Sequence, residues 1–170
     1  ESELKMLSVI RRVGRETPLH VVPTFMGAHA VPEAYRGDVD GYVDLLVNEM
    51  LPAVAEQGVA LFSDVFCEEG VFSPGQARRL LVESRRRGLG LKVHADEVHD
   101  TGGAALAAEL GAISAEHLLA ASDEGIRALA ASGTIAVLLP ATAYSLRKPY
   151  ARARAMIDAG VPVALATDCN

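Results

Sequence analysis

What most constrains this chain is a recurring pattern. Short apolar runs, bounded by Gly or Pro, alternate with stretches of helical periodicity. The runs are residues 19–24 (LHVVPT), 61–66 (LFSDVF), 90–94 (GLKVH), 112–116 (AISAE), 134–139 (TIAVLL) and 162–167 (PVALAT). They are short and show little polar alternation, which suits strands buried on both faces. Helical spacing covers residues 2–13, 42–56, 103–110, 122–131 and 151–159, with Pro52 expected to kink or shorten the second stretch. Ser73-Pro74-Gly75-Gln76 reads as a capped helix start. From there Ala77, Leu80, Leu81 and Ser84 should face inward, with Arg78, Arg79, Arg85 and Arg86 in water and a stop at Gly88. Six βα alternations predict an α/β fold with a parallel sheet and helical crossovers, either a (β/α)8 barrel or a doubly wound sheet. No GxGxxG or GxxxxGK[ST] follows a strand, which weakens the nucleotide-binding version.

Composition removes other classes. The net charge of -6 argues against a nucleic-acid partner. No apolar run approaches the roughly 18 residues of a membrane span. Two cysteines, Cys67 and Cys169, are too few for a disulfide framework and read as reduced thiols of a cytoplasmic protein.

In a barrel of this kind, chemistry sits at the carboxyl ends of the strands. Four of the six runs end in a His or an acid: His29 beyond the first, His94-Ala95-Asp96-Glu97, Glu116-His117 and Asp168. His94, His117 and Asp168 at strand ends would converge on one point. Two imidazoles and a carboxylate suit a catalytic metal, as ligands or as neighbours of ligands. His20 is expected to pack in the core and His99 to be exposed. Cys67 and Glu68 either face the site or serve as packing and loop charge, with the second reading preferred. The polar stretch 142–150 reads as a loop, either contacting an anionic substrate through Arg147 or Lys148 or simply solvated.

At these residues the chain resembles imidazolonepropionase, of the amidohydrolase superfamily. The strings that carry the likeness are TFMGAHAVPEAYRG, DVFCEEGVFSP, LKVHADEV, GAISAEHLL, TAYSLRKPYA and VALATDCN. The resemblance implies a TIM-like (β/α)8 barrel whose third to eighth strands are these six. It implies one Zn²⁺ or Fe ion, with His94 and Asp168 as ligands. It implies catalytic roles for His117, Asp168 and Glu97, and substrate binding by His29, Glu97 and Asn170. The reaction implied is hydrolysis of the cyclic amide of 4-imidazolone-5-propanoate in histidine degradation. That small molecule is the expected partner, with no nucleic acid and no membrane; a homodimer is left open. Another amidohydrolase, of cytosine-deaminase or cyclic-amidase type, and a metal-free inactive barrel are the competing readings.

The 170 residues do not begin with Met and contain no His-x-His, the ligand pair that the family carries on its first strand. An eight-strand barrel typically takes about 250 residues. The expectation is therefore a partial barrel over 1–170, lacking the first two strands and the C-terminal end. It would have exposed sheet edges and be insoluble or inactive alone.

Overall fold

A computed structural model describes residues 2–168. The chain begins with helix α1 (Ser2–Glu16) and continues through strands β1 (Thr24–Ala28), β2 (Phe62–Cys67), β3 (Gly90–Ala95), β4 (Ser114–His117), β5 (Ile135–Leu138) and β6 (Val163–Leu165). Helices α2 (Val39–Leu45) and α3 (Leu51–Gln57) lie between β1 and β2, followed by α4 (Pro74–Arg86), α5 (Gly103–Glu109), α6 (Asp123–Ser132), α7 (Pro140–Ser145) and α8 (Ala153–Asp158). All strands are parallel and pair in sequential order. This is the arc of a β/α barrel, and among the described residues the ring is not closed.

The pleat gives the sheet two faces. Val65 and Cys67, Leu91, Val93 and Ala95, Ala115, and Ala136 and Leu138 are buried. They form one core with the inward faces of the helices. From α4 come Ala77, Leu80, Leu81 and Ser84, the four positions expected from the sequence. The capping box also forms: the Ser73 hydroxyl accepts from the Gln76 N–H, and the Gln76 side chain accepts from the Ser73 N–H. At α5 a close approach requires glycine, because a Cβ on Gly103 would lie 3.0 Å from that of Ala95.

Two local readings change and a third is refined. The first strand starts at Thr24, after the apolar run rather than within it, and His20, Leu19 and Val22 are exposed. Pro18 and Pro23 both lack an N–H, so the run cannot sustain a ladder. The kink or shortening expected of Pro52 takes the form of a local irregularity in the helix. The helical path from Val39 to Gln57 passes through a π-turn at Leu46–Met50, just ahead of the proline. The wider turn accommodates the missing donor and the ring. The stretch read as a loop after the fifth strand is partly helix, α7, opened by Pro140 at its first turn.

Candidate active site

The opposite face of the sheet carries polar and ionisable groups. Strand pairing sets Asp64 beside Lys92, Phe66 beside His94, and His94 beside Glu116. These residues alternate with the buried apolar set, so their side chains rise from the side that the helices leave open.

Two irregularities bring further residues to that face. β1 carries a bulge: Phe25 pairs with Ser63, but Ala28 pairs with Val65. The extra residue shifts the alternation, so that His29 follows onto the polar face instead of the helix side. Its ring lies 4.5 Å from that of His94, edge to face. On β4, simple alternation would send His117 to the helix side with Ala115. Its backbone instead enters the left-handed region, at φ 71°, and Leu118 follows at 60°. The turn brings the His117 ring to 5.0 Å from that of His94. Asp96 and Asp168 also have positive φ, at 49° and 56°. Such conformations are costly for non-glycine residues and persist where the surroundings impose them.

The expected ligands His94 and Asp168 come together with His117: each offers a donor atom, and these atoms lie within 4.8 Å of one another. The Thr142 hydroxyl donates to Asp168 Oδ2 at 2.7 Å. Glu97 Oε1 stands 3.6 Å from His117 Nδ1. His29 is part of a second trio, with Asp64 and His94. Asn170 lies outside the described residues. Arg147 and Lys148 are exposed beyond α7.

Burial drives the protonation preferences. It pushes the His117 imidazole down to about 4, with the nearby His94 adding to the effect, so His117 is neutral at pH 7. Burial would lower His94 too, but the Asp64 carboxylate on its Nδ1 outweighs it and raises His94. Burial raises Glu97 and Glu116. It would also raise Asp64, but the His29 and His94 imidazoles prevail and hold its carboxyl well below the usual range.

Sequence reasoning missed Asp64 as part of the site and noted Glu116 at a strand end without giving it a role. Asp64 is 2 % exposed, and its Oδ1 lies 3.0 Å from His94 Nδ1 and 3.5 Å from His29 Nε2. Glu116 accepts from Ser114 and stands 3.7 Å from Lys92 Nζ. The available signal for Asp64 was a charge inside a run otherwise apolar enough to be buried.

Glu68, read as a loop charge, is also corrected. It is 4 % exposed, and it accepts from the backbone N–H groups of Glu69, Val98 and His99 and pairs with the His99 ring. It therefore pins the segment that follows Glu97. Cys67 packs, as preferred, and burial pushes its thiol up to about 11.

This arrangement is a segment of a parallel β/α barrel with His and Asp at the carboxyl ends of its strands. Solved structures agree on the fold. An adenosine deaminase from Xanthomonas campestris with bound zinc superposes with a TM-score of 0.67 at 16% identity, over 96% of this chain and 39% of its own. An amidohydrolase from a Sargasso Sea environmental sample gives 0.57 at 21%, over 84% and 35%. The sequence identifies the particular relatives. The chain is 65% identical to the imidazolonepropionase of Syntrophobacter fumaroxidans and 64% identical to that of Desulfotalea psychrophila, in both cases over its whole length. The resemblance to imidazolonepropionase is thus borne out along all 170 residues. The chain spans about 40% of the length of these curated relatives. No family model matches it.

Proposed function

We propose that the protein containing this chain hydrolyses the ring amide C–N bond of 4-imidazolone-5-propanoate to N-formimidoyl-L-glutamate, in histidine degradation. The observation that carries this reading is the alignment of the whole chain with curated imidazolonepropionases at up to 65% identity. The same reading assigns the protein to the cytoplasm, with a small molecule as its partner.

The donor set fits one Zn²⁺ or Fe ion. His94, His117 and Asp168 offer atoms at ligand-forming separations, and His117 Nδ1 is buried without a hydrogen-bond partner. His94 and Asp168 would hold the ion, with His117 beside them. A bound ion supplies Lewis acidity, which lowers the pKa of a water from near 15.7 towards about 7.

The chain's own groups do the rest. Asp168, oriented by Thr142, accepts the proton of the attacking water and returns it to the leaving ring nitrogen. His117, neutral at pH 7, donates an N–H to the oxyanion that develops on the carbonyl. Glu97, half-buried beside His117, accepts from a ring N–H of the substrate. His29 and Asn170 contact the substrate.

The test uses the full-length protein. It should turn over imidazolone propionate and leave cytosine untouched. His94→Ala should lose metal and activity together. His117→Ala should keep about one ion per chain by elemental analysis while losing turnover. Metal retained at one per chain in His94→Ala would remove that residue from the ligand set, and near-normal turnover in His117→Ala would end its proposed role.

A further inference from the structure

Beneath the group of residues just described lies a carboxylate to which the proposed reaction assigns no part. Asp64 sits in the middle of β2, 2 % exposed, on the polar face. A carboxylate taken out of water at that depth is costly unless it is paired. Its pairing is specific: Oδ1 is 3.0 Å from His94 Nδ1 and 3.5 Å from His29 Nε2. The other carboxylate facing His94 Nδ1 is Glu116, at 4.0 Å, and that group is also engaged by Ser114 and Lys92.

We infer that Asp64 is a positioning residue, which fixes the tautomer and the ring orientation of His94 by accepting its Nδ1–H. A neutral imidazole carries one proton on two nitrogens, and an acceptor at Nδ1 keeps the proton there. Nε2 is then the free donor atom, available to an ion. The negative charge behind the ring also makes that nitrogen more basic. Outer partners of this kind are typically worth about 10–100-fold in metal affinity. The nearby His29 extends the arrangement. One carboxylate oxygen stands between the imidazole assigned to the ion and the imidazole assigned to the substrate, so their relative placement depends on Asp64. This inference rests on reading His94 as a ligand.

The test compares Asp64→Asn and Asp64→Ala with the parent in the full-length protein. Zn²⁺ affinity is measured by competition with a chromophoric chelator, and the His94 tautomer by ¹⁵N NMR on the metal-free protein. The expected result is a Zn²⁺ affinity lower by about 100-fold in Asp64→Ala and about 10-fold in Asp64→Asn. The Asn side chain can still accept from Nδ1–H, so it should retain the parent tautomer, whereas Asp64→Ala should show a mixture. Asn also preserves size and polarity, so it carries the test if the Ala variant does not fold. Affinity within twofold of the parent in the folded variants, with an unchanged His94 tautomer, overturns the inference. A second Zn²⁺ per chain in the parent, absent in Asp64→Asn, also overturns it, since Asp64 would then be a ligand. His94→Ala separates this from the underlying reading. If that variant loses the ion while the Asp64 variants keep it, only the role of Asp64 fails. If it keeps the ion, the reading of His94 fails.

Discussion

The two faces of one sheet divide the work of this chain. On the helix side, Val65, Cys67, Val93, Ala95, Ala115 and Ala136 are fully buried and apolar. On the other side, one residue away along the same strands, stand Asp64, Lys92, His94 and Glu116. Since neighbours on a strand point to opposite sides, packing and chemistry are interleaved at single-residue spacing. A slip of one residue would exchange them. Where a site residue falls on the wrong parity, the backbone is altered locally to correct it: by the bulge before His29 and by the left-handed turn at His117. Stability and activity should therefore respond separately to substitutions on the two faces.

The largest separation is expected at the site. Asp168→Asn in the full-length protein should lower kcat by about 10²–10⁴-fold, the span of a lost general acid–base, with the unfolding midpoint of the metal-free protein unchanged. Asp168 is not part of the apolar core, so little metal-free stability should depend on it. A loss below tenfold would put the base elsewhere. The converse comes from Leu81, which is 0 % exposed on α4. Leu81→Ala should cost about 2–5 kcal/mol by denaturant unfolding and leave kcat per folded molecule intact. A comparable fall in kcat would mean that the two faces are mechanically coupled.

Much of this division was legible beforehand. Six apolar runs with helices between them predict a parallel sheet, and the strand-end rule selects His94, His117 and Asp168 without coordinates. Asp64 was not legible, because a residue in the middle of a run shows its face only once the register is known. Glu68 escaped for a different reason. Two of the backbone N–H groups that justify its burial belong to Val98 and His99, about thirty residues along the chain. The first strand was misplaced because hydrophobicity outweighed the two prolines that deny residues 19–23 a ladder.

Glu68 provides a pH test of smaller size, away from the proposed ligands. Burial raises its carboxyl, but the hydrogen bonds from Val98, His99 and Glu69 outweigh this and hold it below the usual glutamate range. A carboxyl lowered in the folded state adds stability above its unfolded pKa of about 4.3, and that stability is lost as pH falls through the folded value. Acidification from about pH 5 down through the folded value should thus destabilise the protein, and Glu68→Gln should flatten part of that slope in urea melts. An unchanged slope would show that the Glu68 anchor contributes nothing to acid sensitivity.

The smallest effect concerns Cys67, whose thiol belongs to the buried face although its strand ends at the site. It is 0 % exposed, and burial pushes the thiol up to about 11. Thiolate, not thiol, is the nucleophile, so at pH 8 only about one molecule in a thousand would be reactive even with full access. Iodoacetamide should leave Cys67 unmodified in the folded protein and label it fully in denaturant, as read by peptide mapping that resolves it from Cys169. Alkylation adds a polar group where there is no room for one, so any native-state labelling would report opening of the helix-covered face and not chemistry at the site. Rapid native labelling of Cys67, with His94 and His117 undisturbed, would therefore break the comparison, because the packed face would then be the mobile one.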